Sequence, residues 1–132
     1  MIELRFRAPA VTVGKRCWRA WSTNDDRTMH WSVRRRLVAA WRQAAFVAAR
    51  QAGVTALGPC VIEIAIPFAR NARRDPMNYV GTVLKAVIDG LQADAGLWPD
   101  DTAEWVTITQ PLLELGEDCT IRLLPRPVLE AV

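Results

Sequence analysis

The sequence is poor in the residues that build several common active sites. It holds one histidine, His30, and three cysteines, Cys17, Cys60 and Cys119, far apart and at no CxxC spacing. An odd, scattered set of thiols offers neither a readable disulfide framework nor a thiolate zinc site. With a lone histidine, a His-based metal site or a Ser-His triad would need unusual partners, and a surface or turn position is the plainer expectation for His30. Neither GxxxxGKS nor GxGxxG occurs, which argues against a nucleotide-triphosphate enzyme. No apolar run approaches the ~18 residues of a transmembrane helix, and MIELRFRAP has no signal-peptide apolar region. A soluble, cytoplasmic protein without membrane association is expected. Repeats, low-complexity segments and linkers are missing as well, so residues 1–132 are expected to form a single domain.

What is present is an ordinary globular composition, 51% hydrophobic and 23% charged, with a net charge of +3 that is unevenly spread. Met1 to Arg74 carries 14 basic and 4 acidic residues, a net of +10, whereas Asp75 to Val132 carries 3 and 10, a net of −7. Such a division suits a protein that holds a polyanion with one surface and metal ions with another. Chance, or interleaving of the charges on folding, explains it equally simply.

Hydrophobic periodicity sets the expected elements. Ile2, Leu4 and Phe6 alternate with charged residues as in a half-buried strand, Gly14 marks a turn, and Cys17 to Trp21 reads as a second strand. The segment STNDDR, Ser22 to Arg27, reads as an exposed loop. Ser32 is the expected N-cap of a helix to about Gln51 that stops at Gly53, with Trp41 in its apolar stripe and Arg34, Arg35 and Arg36 in its first turn. Arginines there oppose the helix dipole, and either phosphate contact or simple solvation accounts for them. A strand from Val61 to Pro67 follows, then a second helix, then Trp105 to Thr109 and Cys119 to Leu124 as an expected strand pair. Cys60 and Cys119 are expected to be core thiols, and the tail PRPVLEAV is expected to fray. The order strand-strand-helix-strand-helix-strand-strand predicts an α+β fold, a small mixed or antiparallel sheet covered by two main helices.

The stretch RRDPMNYVGTVLKAVIDGLQADAGLWPDD, Arg73 to Asp101, organises the rest. At about 100° per residue, Asn78, Thr82, Lys85 and Asp89 fall within about 60° of one another, opposite Val80, Val83, Leu84, Val87, Ile88 and Leu91. One lysine among several aspartates, with Asp75 at the helix entrance and Asp100 and Asp101 after its end, reads as a charged site. Carboxylates in loops and at helix ends are the hard oxygen ligands that Mg²⁺ takes. Arg70, Arg73 and Arg74 lie beside Asp75 in the preceding loop.

These residues resemble the RusA family of Holliday junction resolvases. Its members carry an arginine-rich loop ending in Asp-x-Asp-Asn, a helix with Lys and Asp one turn apart, and an Asp-Asp pair after a short apolar turn. The counterparts here are Arg73, Arg74, Asp75, Asn78, Lys85, Asp89, Asp100 and Asp101, about a quarter of the chain in detail. The resemblance implies a homodimeric, Mg²⁺-dependent endonuclease, with Mn²⁺ as a substitute, that cuts branched, four-way DNA junctions symmetrically. It implies Asp75 and Asp101 as principal metal ligands, Asp100 as a nearby ligand or a group just behind them, and Lys85 at the scissile phosphate, while Asp89 or the Asn78 carboxamide is the candidate to replace a lost metal ligand. Arg34 to Arg36, Arg70, Arg73, Arg74 and Asn78 become the DNA-binding set.

Two departures stand out. Met77 occupies the family's second acidic position, and the segment between Asn78 and Lys85 is about one helical turn longer, which preserves the helix face. A non-cleaving branched-DNA-binding protein of the same fold therefore stands as the alternative, and a structural domain in which the aspartates are only caps and turns as a third. Trp18, Trp21 and Trp31 are candidates for stacking on exposed bases or for core and interface positions.

Overall fold

The computed structural model describes residues 1–126, so most of the tail expected to fray lies outside the described residues. Three short strands open the chain: β1 (Ile2–Arg7), β2 (Val11–Val13) and β3 (Arg16–Trp18), the last two joined by a hairpin turn at Gly14, whose φ is 59°. Helices α1 (Thr23–Thr28) and α2 (Trp31–Gln51) follow, then the long strand β4 (Cys60–Phe68). A helical run comes next: a 3₁₀ turn Pro76–Tyr79, a π-turn Val80–Leu84, α3 (Lys85–Asp89) and a second π-turn Gly90–Asp94. Strands β5 (Val106–Ile108), β6 (Leu112–Leu115) and β7 (Asp118–Pro125) complete the described chain.

The result is an α+β fold, as the pattern of elements predicts. Its main sheet is mixed: β1 and β4 flank β7 antiparallel, and both β5 and β6 lie parallel to β4 along its other edge. A parallel neighbour requires a crossover connection, and the helical run supplies it between β4 and β5. Ile62, Ile64 and Ile66 of β4 and Ile121 and Leu123 of β7 are buried together with Leu37 and Trp41 of α2 and Val83, Val87 and Leu91 of the helical run. Cys60 and Cys119 belong to this core, and burial pushes the Cys119 thiol up to about 12. Among the described residues, no helix is long and apolar enough to cross a membrane.

Several expectations are corrected. STNDDR is not a loop but α1, closed by a capping box in which Ser22 accepts from the Asp25 amide and Asp25 from the Ser22 amide. The N-cap of α2 is His30, whose Nδ1 accepts from the Ser32 amide, so Ser32 lies inside the helix. The strands near Trp105 and Cys119 do not pair with each other, because β4 stands between them. β4 and β7 are long and mate from Cys60–Pro125 to Ala65–Thr120, which joins two apolar strands that three-residue β5 has no length to match.

Candidate functional site

The helical run is the element that presents the expected site, and its irregular winding decides which side chains face outward. A π-turn takes more residues per turn than an α-helix, so the positions do not follow one 100° wheel. Thr82 consequently leaves the expected polar stripe: it is buried, and its hydroxyl donates to the Trp21 carbonyl at 2.6 Å. Lys85 and Asp89 remain on the open side and pair at 3.0 Å. Half-buried Asn78 accepts through its backbone carbonyl from the Thr23 hydroxyl at 3.1 Å. The segment Trp21 to Thr23 thus pins the beginning of the run at two points.

Lys85 and Asp101 line a common cavity of about 320 Å³ with Met77, Val80, Leu84, Ile88 and Ile108. Its walls are mostly apolar, and Val80, Leu84 and Ile88, expected on the packing side, form one of them. Met77 is largely exposed at the rim. Asp101 sits on a tightly held turn. Its amide donates to the Asp100 carboxylate at 2.7 Å, and the Trp105 and Val106 amides both donate to the Thr102 carbonyl.

A residue that sequence reasoning missed secures this turn. The Arg126 guanidinium donates to the Ala103 carbonyl and the Thr107 hydroxyl, both at 2.7 Å, and to the Glu104 carbonyl. Its own amide donates to the Pro59 carbonyl at 2.9 Å. No sequence signal marks it, since its partners are mostly backbone carbonyls.

The four expected metal ligands are not gathered into one cage. Asp75 is exposed and caps the Met77 amide at 3.0 Å, Asp89 is engaged with Lys85, and Asp100 is tied to the Asp101 amide. Among the described residues no three His, Cys, Asp or Glu side chains group closely enough to hold a metal ion. The donors have the right hard-oxygen chemistry for Mg²⁺. What they fit is an ion shared between one or two carboxylates and a substrate phosphate. Asp25 and Asp26, the other acidic pair, serve structure: Asp25 in the capping box, Asp26 accepting from the Trp21 indole at 3.0 Å and pairing with Arg34 at 3.1 Å.

The expected DNA-binding arginines divide by environment. Arg74 is half-buried, lies 4.0 Å over the Phe68 ring and donates to the Arg70 carbonyl, so it shapes the loop. Phe68 in turn meets Tyr79 edge-on at 5.3 Å, and burial raises the Tyr79 phenol above its ordinary value. Arg70 and Arg73 are exposed, and Arg73 borders a second cavity with Arg74, Pro76, Gln110 and Leu112. On α2, Arg34 is tied to Asp26, whereas Arg35 and Arg36 are exposed and make no ion pair among the described residues. The charged halves of the chain do interleave in part, through Arg42–Asp94 at 2.8 Å and Glu3–Arg122 at 3.1 Å. Of the candidate stacking residues, Trp21 is core, Trp18 is half-buried and Trp31 is exposed. No protein-family model matches the chain, and no curated protein matches it.

Proposed function

We propose that this protein is a Mg²⁺-dependent endonuclease of the RusA type that acts as a homodimer on branched, four-way DNA junctions. The observation that carries the reading is that Lys85 and Asp101, 16 residues apart in sequence, line one cavity beside Met77. Arg70 and Arg73 stand exposed on the loop that leads into the same helical run. Phosphodiester hydrolysis needs cationic stabilisation and metal-activated water together, and a bound Mg²⁺ would supply the second.

The roles of the chain's own residues follow from their environments. Lys85 meets the charge that develops on the phosphate. Its present partner, Asp89, is easily exchanged: an exposed i,i+4 pair contributes about 0.3–0.5 kcal/mol, and lysine on the N-terminal side is the weaker orientation. Asp101 and Asp75 offer carboxylate oxygens, with one oxygen of Asp75 already held by the Met77 amide. Arg70 and Arg73 hold flanking phosphates.

The absence of a three-carboxylate group among the described residues, together with Met77 in the family's acidic position, favours a second reading, a non-cleaving junction binder. Cleavage of a labelled synthetic four-way junction in Mg²⁺, Mn²⁺ or EDTA separates the two. Paired, metal-dependent nicks are expected from the wild type, with a loss of about 100-fold or more in Lys85→Ala and Asp101→Asn. Tight junction binding without cleavage in either metal would refute the nuclease and establish the second reading.

A further inference from the structure

A cavity of about 580 Å³ shares no residue with the Lys85–Asp101 cavity. It runs along the first three turns of α2, and its lining repeats at helical spacing: Trp31, Arg34, Arg35, Val38, Ala39 and Arg42, with Asp94 opposite. From Trp31 to Arg42 is about 16 Å, eleven residues at about 1.5 Å each. We propose that this groove binds an unpaired nucleotide, with its base stacked on Trp31 and its phosphate held by Arg35.

The groove is built for an aromatic, anionic occupant. Trp21, Trp41 and Trp98 are at most 2% exposed, whereas Trp31 is 67% exposed and lines the groove. The His30 ring lies 5.5 Å from it, tilted by 33°. Arg35 stands one turn along the same face. The two other guanidiniums are fixed rather than free, Arg34 by Asp26 at 3.1 Å and Arg42 by paired bonds to Asp94 at 2.8 and 3.0 Å. Ala39 and Val38 leave the floor shallow and apolar. With two arginines neutralised, the groove carries too little surplus charge to hold a duplex by its phosphates alone. Stacking must contribute most of the affinity, and a stacked base has to be unpaired.

The inference goes beyond the cleavage reading and does not depend on it, so its test is run in EDTA. Binding of a fluorescein-labelled oligo(dT) is measured by anisotropy across a salt series, with a duplex of equal length beside it. Trp31→Ala is expected to weaken single-strand binding by about 5- to 150-fold, with Trp31→Phe retaining most of it. Arg35→Ala is expected to lower the slope of log affinity against log salt by about 0.7. Trp31 is exposed, so neither variant is expected to alter folding, which circular dichroism checks. The proposal is overturned if the wild type does not bind oligo(dT), or if Trp31→Ala binds it as tightly as the wild type. It is equally overturned if poly-glutamate displaces the oligonucleotide at equal charge, or if light scattering finds that Trp31→Ala splits a dimer. Junction cleavage in Mg²⁺ by the same variants reports separately on the nuclease.

Discussion

At Gly90 the helical run packs directly on the α2 backbone, and replacing it tests the packing that holds Lys85 and Asp89 in place. A Cβ added there would sit 2.5 Å from the Arg42 carbonyl oxygen, 3.0 Å from the Ala45 Cβ and 3.1 Å from the Arg42 Cα. A carbon ordinarily approaches such an oxygen to about 3.3–3.6 Å, so the shortfall is close to 1 Å. The obstacle is backbone in the middle of a helix, and it cannot swing aside as a side-chain tip would. Overpacking of this kind costs about 1–3 kcal/mol, and alanine's better helix propensity offsets about 0.5–1 of it. Gly90→Ala is therefore expected to lose about 1–2 kcal/mol, seen as a lower urea midpoint with unchanged slope. Separation of the two helices would also lengthen the Arg42–Asp94 bonds. Gly81, in the same run, is the control: an added Cβ meets nothing within 4 Å, so Gly81→Ala is expected to be neutral or stabilising. If Gly90→Ala matched the wild type in midpoint, the close approach of α2 and the helical run would be wrong.

Two other perturbations probe the supports of the site. Thr82→Val keeps the side-chain shape but leaves the buried Trp21 carbonyl without its 2.6 Å partner, so a loss of about 1–3 kcal/mol is expected by thermal or urea unfolding, with Thr82→Ser near the wild type. The Cys119 thiol is held up at about 12 by burial, so the folded protein keeps a proton that the unfolded chain releases above the ordinary thiol value of 9.0. Its contribution to stability is complete below pH 9 and lost as the pH rises from there toward 12, by about 1.4 kcal/mol per unit. The stability gap between wild type and Cys119→Ala, measured by urea unfolding, is accordingly expected to shrink by about 2 kcal/mol between pH 9 and pH 10.5. A constant gap would show that Cys119 is open to solvent.

The fold class was legible because alternation in IELRF and VIEIAIP and the long stripe around Trp41 identify strands and a helix without tertiary information. Position in the sheet was not, since Val106 and Ile108 alternate equally well whichever strand lies beside them. The capping box of α1 was visible as Ser22 and Asp25, but a run of small polar residues reads as a loop when no apolar stripe follows it. The outward face of the helical run was only half legible. Lys85 and Asp89 lie within α3, where the 3.6-residue wheel holds, while Thr82 lies in a π-turn, where it does not. Arg126 was out of reach because its role is to bind carbonyls of residues about twenty positions earlier.

On the proposed reading, Met77 would change the character of the site rather than merely subtract a ligand. An acid there would bring charge to the rim of a cavity whose walls include Val80, Leu84, Ile88 and Ile108 beside the uncharged Thr109 and Gln110. With methionine in its place, Lys85 and Asp101 are the only charged groups among the described residues that line it. Poor solvation strengthens attraction between Lys85 and a phosphate oxygen relative to the same pair in open water. It also removes one carboxylate that would repel that phosphate. On the proposed nuclease reading, substrate capture would rest more on Lys85 and the exposed Arg73, and metal capture more on the phosphate already bound. Introducing Met77→Asp should tighten Mg²⁺ binding in the absence of DNA, because two carboxylates would then face the cavity. If Mg²⁺ titration by calorimetry found the same weak affinity in both proteins, Asp101 and residue 77 would not share an ion.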